Sequence, residues 1–140
     1  MDLTAFLAEN AQTVEHVNYA ASKRFLDSEG NPMLWELRAV DGAEDEALRK
    51  DSARRVPVPG RRGQYQRETD YDAYLGKLAV ACTVFPNLND ANLQDSYHVK
   101  SAEALLKTML TSGEYTDYLI KVQEVCGFEA MQDEVDLAKN

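Results

Sequence analysis

The stretch Tyr71–Phe128 reads YDAYLGKLAVACTVFPNLNDANLQDSYHVKSAEALLKTMLTSGEYTDYLIKVQEVCGF and contains most of the strongly periodic apolar sequence of this 140-residue chain. Its apolar residues recur every three or four positions, which is the spacing of one face of an α-helix. The first stripe comprises Tyr71, Tyr74, Leu75, Leu78, Cys82 and Phe85. It predicts a helix that is capped by Thr69 or Asp70 and ends at Pro86. We expect the rest of the chain to pack on this helical part.

Three further helices are predicted after Pro86, because Asp90, Ser101 and Ser112 each precede an apolar stripe and can cap a helix. The stripes are Leu93 and Tyr97; then Ala102, Leu105, Leu106 and Met109; then Tyr115, Tyr118, Leu119, Val122 and Cys126. Gly127 is placed as the C′ residue of a Schellman motif, with Phe128 packing back on the helix. A weaker stripe predicts a last short helix over Glu129–Ala138.

The region before Tyr71 has a different period. Residues 17–25 and 33–40 both alternate between apolar and polar side chains, and the turn cluster Ser28–Pro32 separates them. This pattern predicts a β-hairpin, which is marginal alone and should pack on the helices or pair with another strand. Leu3, Phe6 and Leu7 fit one helical turn, and Asp41 can cap a mostly solvated helix over Gly42–Lys50.

The predicted fold is therefore α+β and mostly α, with an N-terminal β-hairpin packed on a C-terminal bundle of about four to five short helices. The length suits a single domain over residues 1–140. Within it we distinguish residues 1–53, a basic mobile arm over 54–68, and the helical core over 69–140.

The arm is the clearest break in the pattern. Residues 54–67 read RRVPVPGRRGQYQR, with two prolines, two glycines and no acidic residue. Prolines disfavour helix, so we expect a mobile arm or an irregular hairpin. Its function could be docking to an acidic partner or contacting phosphate, and the alternative is a solvated linker. The basic residues are Arg54, Arg55, Arg61, Arg62 and Arg67.

Charge and composition exclude several classes of protein. The formal net charge is −9, and an acidic surface repels phosphate backbones, so general nucleic-acid binding is disfavoured. No apolar run approaches the roughly 18–20 residues of a membrane span, and the N-terminus lacks the features of a signal peptide. We expect a cytoplasmic location. Cys82 and Cys126 then behave as reduced core thiols, and two cysteines are too few for a structural zinc site.

No motif for catalysis or cofactor binding is visible. The sequence lacks a phosphate-binding glycine loop, GxSxG and HExxH. His16 and His98 are far apart, and adjacent carboxylates such as Glu44 and Asp45 do not face each other on a helix. We expect neither an enzyme nor a bound cofactor. The tyrosines of the helical half suit an interface or the edge of the protein's own core equally well.

An ordered series of short motifs resembles the XkdN-like tail assembly chaperones of phages and prophages of Gram-positive bacteria. The matching stretches are Ala5–Leu7, Arg24–Pro32, Asp45–Lys50, Thr69–Tyr74, Val84–Leu88, Leu93–Tyr97, Ala102–Leu106, Gly113–Tyr115 and Val122–Phe128. They cover nearly the whole chain in the family's order. The arm departs from the pattern, because it is rich in arginine and proline where relatives tend towards lysine.

The resemblance implies a non-enzymatic chaperone that coats the tape measure protein, holds it soluble and extended while the tail tube polymerises, and is absent from the finished tail. It also implies that a frameshifted longer form could recruit the tail tube protein, and that copies could self-associate along the client. Competing interpretations are a structural tail component such as a connector, a nucleic-acid-binding or regulatory module that uses the arm, and a small enzyme.

We expect the client to present an amphipathic helix, which a groove in the helical half would accept. The hypothesis is that one stripe of the predicted helices forms or borders that groove, where methionine and tyrosine would let it accept varied helices. These residues are Leu105, Met109, Tyr115, Tyr118, Leu119 and Val122.

Overall fold

The structure is a computed structural model, and it describes residues 1–128. Over this range, five α-helices and five short β-strands follow a 3-10 turn at Thr4–Phe6. The helices are α1 (Gly42–Asp51), α2 (Tyr71–Cys82), α3 (Ala91–Ser96), α4 (Ala102–Met109) and α5 (Ser112–Val125). The strands are β1 (Val17–Tyr19), β2 (Trp35–Leu37), β3 (Ala53–Pro57), β4 (Tyr65–Thr69) and β5 (Thr83–Phe85). The predicted α+β class is confirmed, and the helix predicted over Glu129–Ala138 lies outside the described residues.

Most helices begin at the predicted caps. The side chains of Asp41, Asp70, Asp90 and Ser101 each accept a hydrogen bond from a backbone N–H in the first turn. The exception is α5, whose cap is Thr111 and not Ser112. Thr111 is the cap because Glu114 lies three positions later, and the two residues form a reciprocal capping box.

The end of α5 is the predicted Schellman motif. Gly127 has a φ of +89°, a left-handed conformation that glycine adopts without a steric penalty. The Phe128 N–H donates to the Gln123 carbonyl at 2.8 Å, and the Gly127 N–H donates to the Glu124 carbonyl at 3.0 Å. These bonds satisfy carbonyl groups that the helix leaves without partners.

Strands β1 and β2 form the predicted hairpin, and β5 pairs with β2 to give a three-stranded antiparallel sheet ordered β1-β2-β5. Tyr19 pairs with Trp35, and Leu37 pairs with Thr83. The prediction that α2 continues to Phe85 is wrong, since α2 ends at Cys82. The reason is local: β-branched and aromatic residues favour strand, and the position before Pro86 disfavours helix.

The arginine-rich segment forms a second, two-stranded sheet. Strands β3 and β4 pair over five residues, from Ala53 opposite Thr69 to Pro57 opposite Tyr65. The sequence allowed either a mobile arm or an irregular hairpin, and the structure shows a hairpin. Two successive turns close its tip, with the Arg61 N–H donating to the Val58 carbonyl and the Gln64 N–H donating to the Arg61 carbonyl. We call residues 53–69 the basic hairpin.

The core lies between the three-stranded sheet and helices α2, α4 and α5. Its buried apolar residues are Ala21, Trp35, Leu37, Tyr74, Leu78, Ala79, Cys82, Leu88, Leu105, Leu106, Met109, Leu110, Tyr118 and Val122. Helix α1 contributes no fully buried residue, as its mostly polar surface predicted.

Tyr118 connects the sheet to the helices. Its side chain is 0% exposed, and its ring meets Trp35 of β2 edge-on, with 5.3 Å between the ring centroids. Its hydroxyl lies 2.6 Å from the Thr83 hydroxyl, which itself donates to the Ala79 carbonyl at 2.7 Å. A threonine hydroxyl has one proton, so it must accept from Tyr118. Burial raises the pKa of Tyr118, and the tyrosine stays neutral.

The two cysteines, 44 positions apart in sequence, meet beside the core as free thiols, with 3.5 Å between their sulfur atoms. Cys82 is buried and Cys126 is half-buried. Either thiol can donate a hydrogen bond to the other sulfur. This hydrogen bond raises the pKa of Cys82 and lowers the pKa of Cys126 to about 7.

Replacing Tyr118 by phenylalanine should cost about 1 kcal/mol of unfolding free energy, because it removes one buried hydrogen bond and keeps the ring. Replacing it by alanine should cost about 3–5 kcal/mol, because it also leaves a cavity. Urea unfolding followed by circular dichroism measures both values. Equal losses in the two variants would show that the hydroxyl, and not the packing, dominates.

Candidate partner-binding groove

An apolar groove opens where the edge of the three-stranded sheet meets α3 and the end of α4. It encloses a cavity of about 170 Å³ and is lined by Phe25, Met33, Trp35, Phe85, Pro86, Leu93, Tyr97 and Met109. An apolar cavity of about 150 Å³ can bind benzene. The groove therefore has room for roughly one large apolar side chain of a partner. We call these eight residues the apolar groove.

The groove has a rigid floor and an exposed rim. Trp35 and Met109 form the floor and are 1% and 5% exposed. Phe85 and Met33 form part of the rim and are 47% and 39% exposed. A single exposed apolar side chain is normal on a protein surface, whereas exposed apolar residues that line one cavity mark a binding site.

Hydrogen bonds from Arg24 fix the segment that carries Phe25. The guanidinium donates to the Met109 carbonyl at 2.6 Å and to the Glu114 carboxylate at 2.8 Å. It thereby ties the β1–β2 connection to the turn between α4 and α5. The Arg24 guanidinium and the Thr111 N–H lower the pKa of Glu114 to about 2.

The rim is also fixed from the other side. The Met33 N–H donates to the Phe25 carbonyl at 2.6 Å, and the Phe25 ring lies 6.3 Å from the Trp35 ring. Strand β5 places Phe85 opposite Glu36 of β2. The groove is therefore formed before a partner arrives, which reduces the entropy that binding must overcome.

The predicted groove residues occupy other places. Leu105, Tyr118 and Val122 are buried in the protein's own core, so the prediction that they line an open groove is wrong. Tyr115 and Leu119 are half-buried against that core and do not line the apolar groove. Helical periodicity identifies the side that faces inward, but it does not say that α2 and the sheet already cover that side.

Met109 is the one member of the predicted stripe that lines the apolar groove. Because it is nearly buried, an aspartate there would bury a charge and unfold the protein.

Sequence reasoning missed most of the groove for one reason, which is that its residues come from five separate segments. Phe85 falls on a predicted helical stripe, while Phe25, Met33 and Trp35 fall in the alternating segments of the predicted hairpin. The Val84-Phe85-Pro86 run was the available signal, because a residue before proline favours extended backbone and so leaves the stripe.

None of the five arginines of the basic hairpin lines the apolar groove. Arg54 pairs with Glu68 at 3.0 Å, and the Arg55 guanidinium lies over the Tyr65 ring at 4.5 Å. Within residues 1–128, Arg61, Arg62 and Arg67 make no ion pair.

The part of the chain that the structure describes contains neither a metal-binding cluster nor a membrane-spanning helix. Residues 1–128 contain no cluster of three or more histidine, cysteine or acidic side chains that could hold a metal ion. Over the same range, no helix is both long enough and apolar enough to cross a membrane.

Known proteins resemble this chain in both fold and sequence. The crystal structure of the protein YqbN superposes with a TM-score of 0.76 at 26% identity, covering 91% of this chain and 97% of that chain. The phage XkdN-like tail assembly chaperone model matches residues 3–139. The chain belongs to this family. The resemblance drawn from the sequence motifs is thereby confirmed.

Two relatives come from Bacillus subtilis strain 168. The uncharacterized protein YqbN is 31% identical over 99% of this chain and 93% of its own length. The phage-like element PBSX protein XkdN is 28% identical over 99% of this chain and 94% of its own length. A tail assembly chaperone has a non-catalytic role and a phage tail protein as its partner.

The floor and the rim of the apolar groove should respond differently to truncation. Trp35→Ala should cost about 3–5 kcal/mol of unfolding free energy, because the indole is buried in the core. Phe85→Ala should cost less than half as much, because its ring is half exposed. Urea titrations of the two variants check this. A Phe85→Ala loss as large as that of Trp35→Ala would place Phe85 in the core.

Glu114→Gln should lower stability at neutral pH, with a difference from wild type that shrinks in acid. The carboxylate has a pKa of about 4.5 when unfolded and about 2 when folded, so its contribution is present above pH 4.5 and lost as the pH falls towards 2. Urea midpoints across this range measure it, with Glu9→Gln as the control. A pH-independent difference would contradict the Arg24 pairing.

Proposed function

We propose that this protein binds the tape measure protein of a phage tail, keeps it soluble and extended during tube assembly, and leaves before the tail matures. Membership of the tail assembly chaperone family supports the chaperone role. The observation that carries the proposal is the apolar groove, which is rigid, preformed and open to solvent. The host cytoplasm, where the tail is assembled, would be its place of action.

The groove suits a helical client with a repeating apolar face. Its volume of about 170 Å³ accepts about one large side chain of an amphipathic helix at a time. Burying apolar area contributes about 25 cal/mol per Å², so one such contact gives weak binding. Many copies along one client would give high avidity, while each copy could still be displaced by a growing tube.

The charge of the protein also suits this role. A client coated by copies that each carry a net charge of −9 would acquire a strongly acidic surface, and mutual repulsion keeps such complexes from aggregating. The same repulsion would hold the client extended. The proposal includes a longer, frameshifted form of the protein that recruits the tail tube protein.

Co-expression with the tape measure protein of the same genome tests the proposal. Wild-type protein should keep the client soluble, with several copies bound to each client. The double variant Met33→Thr and Phe85→Thr should lower the soluble client at least about tenfold, because it removes apolar rim contact worth about 1.4 kcal/mol or more.

The matched control is Val14→Thr with Ile120→Thr, which removes two exposed apolar side chains outside the apolar groove. It should solubilise the client as wild type does. Circular dichroism checks that both variants are folded. If wild-type protein leaves the client insoluble and is found in purified tails, the protein is a structural tail component instead.

A further inference from the structure

The basic hairpin has no role in the apolar groove, and it is poorly buried. Within it, the side chains of Ala53, Val56 and Val58 are half-buried, and the other residues up to Thr69 are exposed. An isolated two-stranded ribbon is marginally stable in water, and both outer edges of this sheet are unpaired. The exposed strands and tip leave this segment available to a partner.

The tip of the basic hairpin concentrates unpaired positive charge. Gly60 and Gly63 have φ values of +75° and +77°, and these left-handed residues close the two turns around Arg61 and Arg62. Both arginines are exposed and make no ion pair within residues 1–128. Arginine presents a planar fork of donors that matches a carboxylate.

The rest of the chain has the opposite charge. Residues 1–128 contain 20 acidic and 14 basic residues, a net charge of −6, and residues 54–67 contribute +5, so the other described residues together carry −11. The chain is therefore strongly divided into a small basic projection and a large acidic body. Opposite charges on one molecule allow one copy to attract the next.

One part of the acidic body presents two carboxylates that form no ion pair within residues 1–128. Asp72 lies in the first turn of α2 and Glu103 in the first turn of α4. A Glu103 carboxylate oxygen and the hydroxyl of the half-buried Tyr115 both lie beside Gly76 of α2, and Asp72 lies four positions before Gly76 on the same side of that helix. Lys107 is the nearby basic residue, and its side chain lies beside Glu103 next to Gly76. We call Asp72, Glu103 and Tyr115 the acidic face.

We propose that the tip of the basic hairpin of one copy docks on the acidic face of a second copy, so that copies associate head to tail. Arg61 and Arg62 would contact Asp72 and Glu103, with the Tyr115 ring available for stacking by a guanidinium. The contact uses two different surfaces, so a pair of copies still has one free tip and one free acidic face for further copies.

A second copy fits the observations better than nucleic acid does. A phosphate backbone is acidic along its whole length, whereas a second copy carries a basic hairpin as well as an acidic face. Every copy carries an acidic face whose charge is opposite to that of the basic hairpin. The binding partner is therefore present at the concentration of the protein itself. The contact rests on exposed charges, so it should be weak in free protein and favoured where copies lie side by side on a client.

Sedimentation velocity of the protein alone tests the contact without any client, so its outcome is independent of the tape measure proposal. At about 20 mM NaCl the wild-type protein should self-associate as its concentration rises towards about 1 mM, and at about 500 mM NaCl it should be monomeric. Arg61→Glu with Arg62→Glu should weaken the association at least about tenfold.

The reciprocal variant, Asp72→Arg with Glu103→Arg, should also be monomeric alone. Mixing the two double variants should restore association, because each tip then meets a face of opposite charge. Lys23→Glu with Lys100→Glu is the matched control, since it changes the net charge by the same amount as the tip variant at exposed positions outside both surfaces.

Three results would overturn the proposal. One is wild-type protein that stays monomeric at low salt up to about 1 mM. Another is equal weakening by the tip variant and the lysine control, which would show a net-charge effect only. The third is a monomeric wild type that binds a short DNA or RNA duplex with an affinity lost in the tip variant, which would identify the hairpin as a phosphate-binding arm.

Discussion

The buried hydroxyl of Tyr118 is the constraint on which the rest of the structure depends. A phenolic O–H inside a core needs a partner, and here the partner is Thr83, which caps the end of α2 and begins β5. The Tyr118 ring packs on Trp35 of β2 and lies 6.2 Å from the Tyr19 ring of β1. One side chain of α5 thus contacts all three strands of the sheet, and the sheet position follows from that contact.

The apolar groove is a consequence of the same arrangement. Because Thr83 leaves the helix to reach Tyr118, Phe85 lies on a strand at the edge of the sheet instead of on a helix. Trp35 packs on Tyr118 from one side and forms the groove floor with the other. A buried part of the core therefore supports the exposed apolar rim, and a groove of this kind keeps its shape when empty.

The charged and apolar surfaces lie on different residues of the molecule. The apolar groove, the basic hairpin and the acidic face use different residues, so client binding and contact between copies could be varied separately. Both are proposed to be weak in a single copy, because one accepts about one side chain and the other consists of exposed ion pairs. Weak single contacts that add along a long client suit an assembly factor that has to leave.

The sequence predicts the α+β class, the first residues of α1 to α4 and the Schellman end of α5, because caps, periodic stripes and turn glycines are local signals, and its ordered motifs identify the family. It also identified Met109, but it assigned Leu105, Tyr118 and Val122 to an open groove. Tertiary contacts settle which apolar stripes are already covered, that Thr83–Phe85 pairs with β2, and that Phe25, Met33 and Phe85 meet. Those outcomes depend on contacts between segments far apart in the chain, such as Tyr118 with Thr83, which no local pattern records.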